Sequence, residues 1–364
     1  MARKFRRVAV IMAGGSGERF WPLSRQQRPK QMLRLTHPRK TLLEEAVERI
    51  LPLIPAEQVF VSTSDILAPS IRGAGLPIPR ANVLSEPARR NTAGCLSWVA
   101  SEVMARFPGE EISLAVLTAD HMIGQPGRFR SKVRAAMVAA EKNDALVTIG
   151  VRPTRPETGY GYIEVVKGRF SGAARRVSRF REKPNRELAE EFVASGQHYW
   201  NSGMFFWRVD TFLRELDGAS PIHAEVTRNV AALLAKKKAK PAAKEFEKLP
   251  DISIDYALME RASSVLMVES NFPWDDVGSW DALDRSRPHD AAGNVAEGDP
   301  VLVESRGNIV INEAGAEHIA VGIVGAENLI VIISRDSVLV ASKSSAQDVR
   351  LVARELKRRG AKQV

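Results

Sequence analysis

The sequence predicts an α/β fold with a mostly parallel sheet, followed by a small all-β unit, and two observations carry this. Up to about Ile149, short apolar runs alternate with longer amphipathic ones, as in a helix-covered sheet. After Asp290 the texture changes to brief β-branched runs separated by Gly, Asn, Asp or Ser. The chain has 364 residues, 44% hydrophobic and 26% charged, enough for a sizeable core and about two domains. We place these at 1–289 and 290–364.

The first apolar run, Val8–Met12, follows the basic start MARKFRR. It is too short for the apolar segment of a signal peptide, stops at Gly14 and is followed by Glu18, Arg19 and Arg25, so it reads as a buried first strand. The alternation continues through Leu42–Leu51, Val59–Thr63, Thr92–Arg106, Ser113–Thr118, Phe129–Glu141 and Leu146–Ile149. In such sheets ligands sit beyond the carboxyl ends of the strands. From Tyr160 to about Asp284 the pattern is mixed, with a hairpin-like TGYGYIEVVKGRF, a strand at Val177–Arg181 and several helices. This stretch is expected to cover the substrate as part of the same domain. The later runs VLVESRGNIVI, HIAVGIV, NLIVIIS and SVLVAS suit a barrel or a stacked β-helix, closed by the amphipathic helix Ala346–Arg359.

One cysteine, Cys95, excludes a disulfide framework and any Cys-rich metal site, which suits the cytoplasm. No stretch of about 18 apolar residues occurs, so no membrane-spanning helix is expected. The net charge of +10 raises nucleic acid as a partner. The excess is scattered, however, and its denser runs, such as Lys236–Lys244 and RELKRRGAK, are not interleaved with aromatics. They read as solvated faces, and part of the charge suits polyphosphate substrates.

Directly after the first strand comes AGGSGERFWPLSRQQRPKQML, Ala13–Leu33. Gly14, Gly15 and Gly17 let backbone N–H groups approach phosphate oxygens, and Arg19 and Lys30 add full charges. A dinucleotide fingerprint would need a glycine where Phe20 stands, and a Walker loop would need a lysine where Glu18 stands, so both fail. Pro22 and Pro29 break any long helix and leave an extended segment that can return Lys30 toward the same phosphates.

At these residues the chain resembles the sugar-nucleotide pyrophosphorylases, and among them the bacterial mannose-1-phosphate guanylyltransferases, through the pattern AGG-x-G-x-R-x-WP-x-SR ending in PKQ. The resemblance implies a Rossmann-like nucleotidyltransferase domain and a C-terminal left-handed β-helix that can contribute to a homodimer. It implies transfer of GMP from GTP to α-D-mannose 1-phosphate, giving GDP-mannose and pyrophosphate by in-line displacement. A heptose or glucose phosphate, or another nucleotide, is the alternative. The loop residues Gly14, Gly15, Ser16 and Gly17 would hold the triphosphate, with Arg19 and Lys30 as catalytic cations. Some relatives continue into a cupin-like isomerase domain, and with the sequence ending at Val364 a second isomerase activity is not expected.

Joining two polyanions calls for a divalent cation on oxygen ligands. Asp120 in LTADHMI, past a strand, and Asp276 in WDDVGSW are the candidates, and the resemblance implies that the two coordinate Mg2+. Thr118 stands where the family usually has proline, and Asp275 beside Asp276 leaves two carboxylates to choose between. His121 is expected to be a hydrogen-bonding partner, since magnesium prefers oxygen. The segments TGYGYIE, FREKP and YWNSGMFFW match the family's sugar pocket, which carries sugar phosphate roles to Gly161, Glu182, Lys183 and Asn201, with SIDYALME in support. Phe205, Phe206 and Trp207 read as core strand residues. EPARRNTAG matches the guanylyl branch, and an acceptor such as Glu86 or Asn91, with Thr92 beside it, suits the N–H donors of guanine.

Overall fold

The structure is a computed structural model that describes residues 4–15, 17–168 and 172–364. In chain order its strands are β1 (Arg6–Met12), β2 (Val59–Ser64), β3 (Val83–Glu86), β4 (Ile112–Thr118), β5 (Met122–Ile123), β6 (Leu146–Val151), β7 (Tyr162–Val165), β8 (Ala174–Arg181) and β9 (His198–Arg208). Then come β10 (Val265–Glu269), β11 (Trp274–Asp275), β12 (Val295–Glu297), β13 (Val301–Val303), β14 (Ile309–Asn312), β15 (Gly322–Val324), β16 (Leu329–Ile333) and β17 (Val338–Ser342). The helices are α1 (Leu42–Ile50), α2 (Ala68–Gly73), α3 (Asn91–Arg106), α4 (Pro126–Asn143), α5 (Arg186–Ser195), α6 (Val209–Ala219), α7 (Pro221–Ala235), α8 (Ala239–Phe246), α9 (Ala282–Ser286) and α10 (Val349–Arg358). Among the described residues no helix is long and apolar enough to cross a membrane.

The chain forms two compact units. The first comprises Met1–Gly14, Ala46–Thr118 and Ile123–Trp274, and the second Gly15–Glu45, Ala119–Met122 and Asp275–Val364. In the first unit nine strands pair in the order β3-β2-β1-β4-β9-β6-β10-β8-β7. Of the strands foreseen from the N-terminal alternation, β1, β2 and β4 pair in parallel, with β3 beside β2 at the edge, while β6 lies beyond β9. Beyond them the sheet is mixed: β9 runs antiparallel to β4 and β6, β10 is parallel to β6, and β8 is antiparallel to β10. The expected hairpin takes a different form. Only Tyr162–Val165 of that segment is strand, its partners are β8 and β9, and residues 169–171 lie outside the described ones.

β9 carries Phe205, Phe206 and Trp207, all fully buried, so these aromatics are core residues as expected. A strand covered on both faces loses the polar–apolar alternation by which strands are recognised. The helix α3 is buried along most of its length for the same reason, and Ser101 within it donates from Oγ to the Thr227 carbonyl at 2.9 Å.

In the second unit β12, β14 and β16 pair in parallel, as do β13 and β15, while β17 runs antiparallel to β16. Parallel pairing of strands one coil apart is the pattern of a stacked β-helix and not of an up-and-down barrel. Ile309, Ile311, Ile330, Ile332 and Leu339 form its apolar face together with Ala346, Val349 and Ala353. Phe20, Trp21, Leu33, Val277 and Trp280 belong to the same core, which therefore seats the glycine-rich loop and the WDDVGSW turn.

One end of the stack is held by two buried asparagines. Asn308 donates from Nδ2 to the Ala326 carbonyl at 2.9 Å and to Asn294 Oδ1 at 3.2 Å, and its Oδ1 accepts from the Leu329 N–H at 2.9 Å. Asn308→Ala would remove these three bonds and leave the Leu329 N–H without its acceptor, while Asn294 Oδ1 keeps the Asn308 N–H and the Ala326 carbonyl keeps the Arg306 N–H, for a loss on the order of 2 kcal/mol. Urea unfolding of the two forms measures it, and a loss within error of zero would mean that the partners rearrange.

Candidate active site

Gly17 has a left-handed backbone, φ 66°, and a Cβ placed there would sit 2.5 Å from Lys30 Cβ and 2.8 Å from the Lys30 nitrogen. The glycine is thus required by the return of the PKQ segment against the loop, beyond any approach of a ligand. Ser24 Oγ donates to the Gly17 carbonyl at 2.6 Å. Trp280 Nε1 donates to the Trp21 carbonyl at 3.0 Å, and its ring meets that of Phe20 edge-on at 5.0 Å. These bonds join the glycine-rich loop to the WDDVGSW turn. Gly14 and Gly15 have open space around them, and Ser16 lies outside the described residues.

Lys30 is the centre of the arrangement. Its side chain is only 8% exposed. Its Nζ donates to Asp120 Oδ2 at 2.9 Å and to the Asp276 carbonyl at 2.7 Å. A cavity of about 320 Å³ opens here, lined by Gly15, Gly17, Glu18, Arg19, Lys30, Asp120, His121 and Asp276 among others. Burial pushes the Asp120 carboxyl up, but the Lys30 ammonium, His121 and the hydrogen bond from Lys30 outweigh it and hold the group below its ordinary value. Asp120 is therefore ionised at neutral pH although its side chain is only 39% exposed. His121 Nε2 stands 3.8 Å from Asp120 Oδ1.

The two neighbouring aspartates separate clearly. Asp275 is 6% exposed, accepts from the Val277 N–H at 2.8 Å and pairs with Arg285 Nε at 2.8 Å. Asp276 lines the cavity, its carboxylate folded over Gly278, where an added Cβ would come within 3.1 Å of Oδ2. Directly after them Val277 holds φ 48°, a strained value for a β-branched residue. The turn thus points one carboxylate inward and the other into the cavity.

Two cavity residues come from the C-terminal helix: Arg350 and Arg354 of α10 line it, and Arg354 Nε donates to Glu18 Oε2 at 3.3 Å. Sequence reasoning treated this helix as a solvated face. Its spacing shows amphipathicity, but nothing in it tells where the basic side points. Arg25, by contrast, pairs with Asp336.

The remaining sequence-predicted residues form two clusters within the first unit. Glu86, at the end of β3, accepts from Ser62 Oγ at 3.1 Å. Burial raises its carboxyl to about 7, against the Cys95 thiol and Ser62 hydroxyl, which lower it. Asn91 is exposed at the start of α3 with φ 55°, and Thr92 Oγ1 accepts the Ile254 N–H at 2.8 Å.

In the second cluster, Gly161 makes room for Glu182, whose Oε2 would lie 2.5 Å from a Cβ at that position. Lys183, with φ 45°, reaches Glu182 Oε1 at 3.4 Å. Asn201 donates from Nδ2 to Asp255 Oδ1 at 3.1 Å and accepts from Thr148 Oγ1 at 3.2 Å. Asp255, from SIDYALME, opens a π-helical turn, and sequence reasoning had not singled it out. Burial, followed by the charge of Glu182, raises its carboxyl to about 7, and burial likewise raises Glu182.

Folded Asp255 keeps its proton up to about pH 7, whereas an unfolded chain loses it near the ordinary 3.8. The folded state then binds more protons between those values, so this residue's contribution to stability declines as pH rises through that window. Asp255→Asn cannot ionise, and the drop in melting temperature from pH 5 to pH 8 should be smaller than in the unaltered protein. An identical drop in both would show that the carboxyl is not buried in its neutral form.

The sequence matches the Nucleotidyl transferase family over residues 8–292 and the MannoseP isomerase/GMP-like beta-helix domain over residues 298–356. It is 37% identical over 365 residues to the mannose-1-phosphate guanylyltransferase of Escherichia coli K12, covering 96% of this chain and 73% of that one. It is also 37% identical over 359 residues to the mannose-1-phosphate guanylyltransferase of Klebsiella pneumoniae, covering 96% and 74%. A crystal structure from Thermus thermophilus, described as a mannose-1-phosphate geranyltransferase, superposes with a TM-score of 0.87 at 37% identity, over 97% of this chain and 100% of that one. With these matches running through both the glycine-rich loop and the β-helix, the chain belongs to the nucleotidyl transferase family, as a member of its mannose-1-phosphate guanylyltransferases.

Proposed function

We propose that the protein transfers the GMP group of GTP to α-D-mannose 1-phosphate, releasing pyrophosphate. The observation that carries this is the polar cavity that gathers Gly15, Gly17, Arg19 and Lys30 from the loop with Asp120 and Asp276 from two distant segments. An oxygen of the sugar phosphate attacks the α-phosphorus, the bond to the β-phosphate oxygen breaks, and pyrophosphate carries away the electron pair. The attacking oxygen is already ionised, so no general base is required. Catalysis then consists of positioning and neutralising charge.

Asp120 and Asp276 fit a divalent cation such as Mg2+. Asp120 is held ionised, both residues line the cavity, and magnesium commonly takes one or two carboxylates and completes its shell with substrate phosphates and water. Bound there, the ion would supply positive charge to the reacting phosphates. Asp275 is the poorer ligand because Arg285 already neutralises it.

For the sugar, Glu182, Asn201 and Asp255 offer acceptors and donors for hydroxyl groups, and Lys183 offers a cation for the sugar phosphate. For the base, Glu86 in its ionised form accepts from guanine N1–H and N2–H, which adenine lacks. The cytoplasm is the proposed location of a reaction that uses GTP.

Pyrophosphate release across a matrix of nucleotides and hexose 1-phosphates tests the assignment, with GTP and mannose 1-phosphate expected to give the highest kcat/KM. Another pair in first place would replace it. Lys30→Ala should lower kcat by about two orders of magnitude, as for other lost transition-state charge contacts, and near-normal turnover in a folded variant would exclude that role. Asp276→Asn should abolish turnover at ordinary magnesium concentrations, assayed alongside Asp275→Asn. Activity kept by the first variant and lost by the second, with both folded, would reverse the ligand assignment.

A further inference from the structure

The geometry points to Arg350 and Arg354 of α10 as anion-binding residues that hold the terminal phosphates of the nucleotide and the pyrophosphate these become. This rests on reading the cavity as a phosphate site.

The placement follows from helical spacing. Val349 and Ala353, four residues apart, are the buried residues of α10 and pack into the core of the second unit. Arg350 and Arg354 each follow one of them by one position, so they too lie four apart and share a side of the helix beside the buried stripe. Both line the cavity together with Gly15, Gly17, Arg19 and Lys30. The C-terminal helix therefore brings two guanidinium groups to the glycine-rich loop.

The state of these side chains shows what is missing. Arg350 Nε is buried and has no hydrogen-bond partner among the described residues. A charged donor in that condition is costly unless an acceptor arrives. Among the described residues Arg354 pairs with Glu18 at 3.3 Å, and its side chain is largely exposed. Lys30 is already engaged by the Asp120 carboxylate and the Asp276 carbonyl. A multiply charged group entering the cavity thus needs cations other than Lys30, and a guanidinium fork matches phosphate oxygens in a bidentate manner. The group is a phosphate tail and not the sugar or base end, because none of Glu86, Asn91, Glu182, Lys183 and Asn201 lines this cavity.

The test is calorimetric binding of inorganic pyrophosphate with Mg2+ to the full chain and to Arg350→Ala, Arg350→Lys and Arg354→Ala, each checked for folding by circular dichroism and urea unfolding. Arg350→Ala should weaken binding roughly tenfold or more, the range for hydrogen bonds to charged groups, with Arg350→Lys recovering part of it and Arg354→Ala giving a smaller loss. In turnover, the KM for GTP should rise while that for mannose 1-phosphate stays within about twofold, as expected for contacts made to one substrate only. Unchanged pyrophosphate affinity in folded Arg350→Ala, or an equal rise of both KM values, overturns the assignment. Should Arg350→Ala not fold, Arg350→Lys and Arg354→Ala decide by the same two readings. Pyrophosphate binding that depends on Arg350 in a protein that does not use GTP and mannose 1-phosphate would sustain this inference and reject the proposed substrates. Failure of the unaltered protein to bind pyrophosphate would reject the inference itself.

Discussion

A nearly buried ammonium that touches two acidic segments at once is the constraint on which the second unit depends. Lys30 can be withdrawn from water because Asp120 supplies a carboxylate and Asp276 a carbonyl within hydrogen-bond distance. Without them the cost of desolvating the charge would expel the side chain. Gly17 permits the backbone approach this needs, and the Trp280–Trp21 bond holds the turn carrying Asp276 against the same loop. Three segments far apart in the chain thereby acquire one local geometry.

The carboxyl groups of the protein fall into two electrostatic classes, and the division follows the chemistry proposed for each. Asp120 faces a lysine and stays ionised, which is what a hard cation requires. At Glu86 and Asp255 burial outweighs the lowering interactions, which for Asp255 include the charge of Lys183, and the carboxyls move up to about 7. Groups of the second kind are suited to hydrogen bonding with neutral hydroxyl and amide partners, where changing protonation state costs little near neutrality.

The β-helix is more than a support. Its apolar face shares a core with Phe20, Trp21, Val277 and Trp280, and α10, which closes it, presents Arg350 and Arg354 to the cavity. A domain that sequence texture separates from the catalytic region thus contributes part of the wall of the candidate site. Backbone strain sits at the same place, since Val277, next to Asp276, holds a left-handed φ of 48° while its N–H bonds Asp275.

Local patterns in the sequence were enough for most of the parallel half of the sheet, a C-terminal all-β unit and the glycine-rich loop, because hydrophobic period, glycine placement and proline breaks act over a few residues, while the choice of a β-helix over a barrel came from the resemblance. The resemblance of the PKQ, LTADHMI and WDDVGSW segments to family motifs named Lys30, Asp120 and Asp276. Tertiary structure alone decided which of Asp275 and Asp276 faces the cavity, since that depends on Arg285 and on the backbone angle of Val277. It also decided that Arg25 turns to Asp336, that Asp255 joins Asn201, and that two arginines of the last helix line the cavity around Lys30. Each of these depends on partners remote in sequence, and a side chain's charge or amphipathic position says nothing about which partner it will meet.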